Sequence, residues 1–311
     1  MSGEVLPALL RGLHVGATLS LLGVLVYRQC ILPAAPAGPD AADQSVRWQL
    51  ARLASVSAGA ALLFGAAWFV AVTADIAGVS QPGAVAGFVP VVALHTQFGT
   101  WLALRLVLLL LVLLLPAGPA LRWIALLLAA AAVAEQPMLA HAGAEPGPRG
   151  GLLIAGEAVH VLAAGAWFGG LLPLWLSVRR LPAASGWHAC RRFSRLGMAA
   201  VASIVAGGVV LGALLAGGVA GLLHSTYGNL LLLKTGLFLA ALGLAGLNRY
   251  RLTPAVQHGE RRGLLSSVAA EAAIGIAIVL VAAFLASSMP GADMQHRAHP
   301  GMSHGAQGGM Q

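Results

Sequence analysis

The chain has 311 residues, of which 59% are hydrophobic and 9% charged, and its mean hydropathy is +0.85. One water-soluble core cannot hold that much apolar side chain, so the composition excludes a soluble globular domain and makes membrane lipid the solvent. A net charge of +8 would suggest a nucleic-acid partner in a soluble protein, but no DNA- or RNA-binding motif accompanies it, and in lipid such charge marks basic loops at the membrane face.

A hydrocarbon layer of roughly 30 Å needs about 20 apolar residues per helix, and eight segments qualify. The first, 6–32, has no basic leader or cleavage site before it, which predicts a retained span and not a signal peptide; it carries Arg11 and His14. The second, 50–78, follows a loop flanked by Arg28, Arg47 and Arg52. The third, 90–115, opens on HTQFGTWLALR with His95 and Arg105, and Pro116, Gly118 and Pro119 separate it from the fourth, 119–140, which leads to Met138 and His141. The fifth, 151–178, holds Glu157 and His160. The sixth, 194–222, follows a loop with Arg179, Arg180, Arg191 and Arg192. His224 and Lys234 bracket the start of the seventh, 228–250, and Glu271 lies in the eighth, 264–288. The chain therefore reads as an all-α polytopic membrane protein of eight transmembrane helices.

Arginines crowd the odd loops and nearly avoid the even ones, which predicts cytoplasmic odd loops and an N-out, C-out protein of the bacterial inner membrane. That orientation places His14, His95, His160 and His224 in the outer halves or at the outer ends of helices one, three, five and seven, and His141 at the outer end of helix four. Methionine is biased outward too, through Met138 and the tail. Thioether is a soft ligand and imidazole a borderline one, a pairing that suits copper better than magnesium, calcium or manganese. Cys30 and Cys190 fall at cytoplasmic helix ends and read as reduced thiols.

HTQFGTWLALR at 95–105 aligns without a gap on HSTYGNLLLLK at 224–234, and RGLHVGATLSLLG aligns on GEAVHVLAAGAWFGG with His14 opposite His160. A parallel four-plus-four repeat follows, with halves 1–145 and 146–289 and a tail at 290–311, and it predicts that the four outer histidines converge. Each residue also has a structural reading. Arg105 and Lys234 are expected to pair with a carboxylate such as Glu271 or Glu157, and Arg11 to pair with Glu157 or to snorkel outward. His14 and His160 lie roughly 12 Å below the outer surface, where an unpartnered imidazole is expensive. Glu157, three residues before His160, shares its face and is a co-ligand or a ring-orienting acceptor. His95 and His224 read equally as capping histidines or ligands, and Met138 and His141 share a face at three-residue spacing. The tail MPGADMQHRAHPGMSHGAQGGMQ is too polar to pack and offers Met294, His296, His299, Met302 and His304 for metal capture.

In the second half, EAVHVLAAGAWFGGLLPLW at 157–175, then RRFSRLGMAAVA, STYGNLLLLKTGLFLAALGLAGLNRYRLTP and SSVAAEAAIGIAIVLVAAFL, resemble the copper resistance protein D (CopD/PcoD) family, and MLAHAG at 138–143 matches in the first half. The resemblance implies copper transport across, or delivery at, the inner membrane, alongside a CopC-type periplasmic partner carried on a separate chain. It maps the histidine before the WFGG segment to His160 and the outer helix-four histidine to His141, with His14 added. The expected copper site comprises His14, Met138, His141, His160 and Glu157, supported by His95 and His224 and fed by the tail. With no nucleotide loop or phosphorylation motif, the chain is not expected to be an enzyme or an ATP-driven pump. Two alternatives stand: a b-type haem electron carrier with His14 and His160 as axial ligands and Gly12, Gly16, Gly165 and Gly169 making room for the macrocycle, or a copper-binding assembly or sensor subunit.

Overall fold

The structure is a computed structural model that describes residues 2–32, 41–116, 118, 121–139, 147–215, 223 and 225–287. The described residues are helical throughout: α1 (Ser2–Val26, ending in a π turn at Tyr27–Ile31), α2 (Ala41–Ala77), α3 (Pro82–His95), α4 (Gln97–Leu114), α5 (Leu121–Ala134, followed by a 3-10 turn at Gln136–Leu139), α6 (Gly147–Arg180), α7 (Ala183–Leu215), α8 (Thr226–Leu247, followed by a π turn at Asn248–Leu252 and one helical turn at Thr253–Val256) and α9 (Arg262–Leu285). Seven helical segments among them are long and apolar enough to cross a membrane. The expected sixth span, 194–222, falls on α7 and runs past the described residues. His141, His224 and the whole tail, with Met294, His296, His299, Met302 and His304, also lie outside them.

Two spans differ from their expected outlines. The segment 90–115 is two helices and not one, because Thr96 takes an extended backbone and caps α4, its Oγ1 accepting from the Gly99 amide at 2.9 Å. Gly99 admits the last turn of α3, since any Cβ there would strike the Val92 carbonyl. Ser225 repeats the device on α8 by accepting from the Gly228 amide at 2.9 Å, so part of the HTQFG/HSTYG pattern encodes a helix start. The fourth span runs Leu121–Leu139, but its α-helix ends at Ala134, where Pro137 lacks an amide hydrogen and the chain tightens into the 3-10 turn.

Helices α1 and α6 form the centre. Helix α1 packs on α2, α5, α6 and α9, and α6 packs on α1, α2, α5, α7 and α9. Their contact runs backbone to backbone: a Cβ on Gly23 would collide with Gly169, and one on Gly169 would collide with the Leu19 carbonyl. Small residues that allow such approach are how membrane helices gain dispersion contacts without a hydrophobic driving force. Leu63, Leu114, Leu127 and Ile276 are exposed on the outer helices, as lipid-facing residues should be. The packing pairs recur between the halves: α1–α2 and α6–α7, α1–α5 and α6–α9, α4–α5 and α8–α9.

Candidate functional site

His14 sits on α1 with no exposed surface, pressed against α2. Its Nδ1 lies 2.8 Å from the Ala61 carbonyl. A carbonyl only accepts, so Nδ1 carries the proton and Nε2 presents its lone pair. That Nε2 is buried and has no hydrogen-bond partner. Room for the ring comes from Gly65, one turn after Ala61 on α2: an added Cβ would lie 2.7 Å from His14 Nδ1 and 2.8 Å from Cε1. Trp68, with its ring centroid 5.9 Å away, packs beside the imidazole and also carries Arg11 on its face at 5.6 Å.

His160 repeats the arrangement on α6. Its Nδ1 lies 3.2 Å from the Ile204 carbonyl of α7, and Gly208, again four residues after the acceptor, is the glycine facing the ring, 4.0 Å from Cε1. Each histidine thus bonds a backbone oxygen of the second helix of its own half; Gly65 presses on the His14 ring, whereas Gly207 packs on the His160 Cβ, at 3.2 Å from an added Cβ. His95, exposed at the end of α3, turns back to its own helix, with Nδ1 3.2 Å from the Val91 carbonyl, which is the capping role. Met138 lies half-buried in the 3-10 turn, where its carbonyl accepts from Gln97 Nε2 at 3.4 Å. Among the described residues, no three His, Cys, Asp or Glu stand close enough together to hold a metal ion.

The buried charges pair differently from the sequence expectation. Arg105 bonds Glu135, Nε to Oε1 at 2.7 Å, and Gln136, Nη1 to Oε1 at 2.7 Å, and neither Glu271 nor Glu157 is its ion-pair partner. The reason is topological: α4 and α5 are consecutive antiparallel neighbours, and the 3-10 turn brings the end of α5 back over Arg105. A cavity of about 10 Å³ beside Arg105 and Gln136 has room for one water, and Arg105 Nη2 and Glu135 Oε2 are left unpartnered. Glu271 instead accepts from Asn248 Nδ2 at 2.9 Å. Glu157 stands in the combined field of Arg11, Lys234 and Arg105, while Arg11 also reaches the Leu139 carbonyl at 3.5 Å. Cys30 is exposed, Cys190 is buried, and both are free thiols.

The four glycines considered for a macrocycle are filled by neighbouring helices: Gly12 and Gly16 by Leu280, Ala283 and Val279 of α9, and Gly165 and Gly169 by Leu19, Leu22 and Gly23 of α1. Ala61, Ile204, Gly65 and Gly208 are absent from the sequence reading. Backbone acceptors carry no sequence signal, and only the shared carbonyl-to-glycine spacing of four on the two partner helices marked the positions.

Residues 2–152 match the family model described as copper resistance protein D-like, N-terminal domain, and residues 187–285 the one described as copper resistance protein D. His160 and the WFGG segment lie between the two matched stretches. The chain is 33% identical over 166 residues to copper resistance protein D of Pseudomonas syringae pv. tomato, covering 51% of this chain and 54% of that protein. It is 35% identical over 142 residues to inner membrane protein YebZ of Escherichia coli strain K12, covering 43% and 48%. Copper transport protein CutJ of Bacillus subtilis strain 168 is 33% identical over 133 residues, covering 42% of this chain and 24% of that protein. The chain thus spans about half the length of the first two relatives and less of the third. No solved structure matches it significantly.

Proposed function

The chain belongs to the copper resistance protein D family, and we propose that it transports copper across, or delivers it at, the bacterial inner membrane, binding the ion in the outer half of the helix bundle. The observation that carries this reading is His14: a completely buried imidazole whose proton is fixed on Nδ1 and whose Nε2 lone pair has no partner. Leaving such a nitrogen unsatisfied in a lipid-surrounded core costs about 1–3 kcal/mol, which a bound soft cation would recover. Imidazole fixed by a hydrogen bond at its other nitrogen is the usual geometry of a metal-ligating histidine.

In this reading copper is the cargo. His14 and His160 are the fixed nitrogen donors, one in each repeated half, and Met138 supplies a thioether. Glu157 orients or coordinates, His141, His95 and His224 complete the outer set, and the His/Met tail captures the ion first. The recurring packing pairs and the matched His–carbonyl contacts on α1/α2 and α6/α7 support a four-plus-four repeat, and the arginine-rich odd loops support termini outside. The names of the relatives, two of them copper proteins and one an inner membrane protein, support the cargo and the location. A separate CopC-type periplasmic protein is the proposed donor or acceptor.

The test is metal analysis with an optical spectrum on detergent-purified protein, comparing wild type, a deletion after Met289, His14→Ala and His160→Ala. Near-stoichiometric copper in wild type and the tail deletion, lost in either histidine variant, is the expected result. A Soret band, or copper that vanishes with the tail alone, overturns the intramembrane site.

A further inference from the structure

A second internal space lies in the half of the bundle that carries the arginine-rich loops. It is a cavity of about 320 Å³ bounded by α6, α7, α8 and α9, within the size range of small-molecule sites and far larger than an ion needs. It exists because the halves differ here. Helix α2 packs on α4, whereas among the described residues α7 meets the α8 region only at its foot, through the Asn248–Leu252 turn and the helical turn Thr253–Val256. Met198 and Tyr250, both exposed, stand at the opening, so the cavity communicates with the lipid side.

Its lining is mainly apolar, with Trp167 and Phe193 offering flat faces, and it contains two polar pairs: Asn248 with Glu271, and Arg249, whose Nη1 donates to Ser194 Oγ and whose Nε is buried without a partner. Asn248 Nδ2 donates to Glu271 Oε2 at 2.9 Å, which fixes the amide so that its Oδ1 points elsewhere. Asn248 Oδ1 and Glu271 Oε1 are both buried and have no other partner. Glu271 is only 2% exposed. Cys190 and Met198 also line the space, but eight residues apart on one helix they are separated by roughly 12 Å and cannot share one ion. A soft-metal site is therefore not what this cavity offers.

Two free acceptors in an apolar, ring-lined space open to lipid call for a lipid-soluble ligand that brings O–H donors on a flat ring. We propose that this cavity binds a quinol-class molecule, its hydroxyl groups donating to Asn248 Oδ1 and Glu271 Oε1 and its apolar tail leaving between α7 and α8. This site is independent of the copper reading.

The experiment is isothermal titration of detergent-purified full-length protein with decylubiquinol under anaerobic conditions and, separately, with decylubiquinone. Saturable binding is expected, with the quinol at least tenfold tighter than the quinone because the free atoms of the Asn248–Glu271 pair are both acceptors. Gly246 lines the cavity, and a Cβ there meets nothing within 4 Å, so Gly246→Phe fills the space without a clash at its first atom and is expected to abolish both isotherms while copper retention stays at the wild-type level. Glu271→Gln places an amide donor beside the ligand and is expected to invert the preference toward the quinone. Equal, non-saturating uptake of both probes in wild type and Gly246→Phe would mean that acyl chains or detergent fill the cavity, and would overturn the proposal. Saturable binding with an unchanged preference in Glu271→Gln would overturn the assignment of the headgroup partners.

Discussion

Gly65→Ala isolates the geometry of the His14 site without touching a ligand. The new methyl would sit 2.7 Å from His14 Nδ1 and 2.7 Å from Leu106 Cδ2, whereas ordinary contact begins near 3.4 Å. The imidazole must then retreat by roughly 0.7 Å, which stretches a 2.8 Å hydrogen bond to Ala61 beyond useful length. Two costs follow: about 1–3 kcal/mol of overpacking, and loss of the contact that fixes the ring, typically worth about 10–100-fold in metal affinity. The matching change in the second half, Gly208→Ala, meets His160 Cε1 at 4.0 Å and should be silent. The assay is copper per protein by mass spectrometry after equilibration against graded copper buffers, with detergent-phase thermal melts as a folding control. Gly65→Ala is expected to weaken copper retention about 10–100-fold and Gly208→Ala to leave it unchanged. Wild-type retention in a folded Gly65→Ala protein, or equal losses in both variants, would refute the claim that the Ala61–Gly65 seat positions the metal-binding nitrogen.

Glu135→Ala strands Arg105 in the core and should destabilise the protein by about 3–5 kcal/mol, whereas the paired change Arg105→Met with Glu135→Leu should cost much less; the comparison is read from thermal melts in detergent. Thr96→Ala and Ser225→Ala each remove a cap and should cost about 1 kcal/mol, with copper retention unaffected. Gly23→Leu drives a side chain into the backbone of α6 and should prevent α1 and α6 from meeting, seen as loss of the monodisperse peak in size-exclusion chromatography.

The apolar spans were legible because lipid demands long apolar runs, and the burial of His14 because such runs make a polar interruption conspicuous. The break at Thr96 was written in the sequence as well, as a Thr-x-x-Gly start just after Pro90, but a continuous apolar run masks it. The partner of Arg105 was not legible. Glu135 reads as a residue of the fourth loop, and only the early end of α5 and the 3-10 turn tuck it inside, at 8% exposure. Lys234 and Arg11 were expected to lean on Glu157 and do lie in its field. The seats of the two histidines depend on main-chain oxygens, which every residue possesses and no pattern distinguishes. Side-chain chemistry can be read from a string of letters, whereas the direction in which a ring is turned depends on a helix more than 40 residues away.

The bare glycine contact between α1 and α6 also governs how the molecule is made. During synthesis α1 enters the membrane before α2, which can satisfy His14 through Ala61 as soon as it follows. The face around Gly23 has no mate until α6 emerges, after the entire first half has been laid down. Until then the Gly23 surface lacks the backbone of α6 that it packs against. Nascent chains that stall before α6 would present that surface to one another, so the final assembly is secured late, by the second half closing on the first.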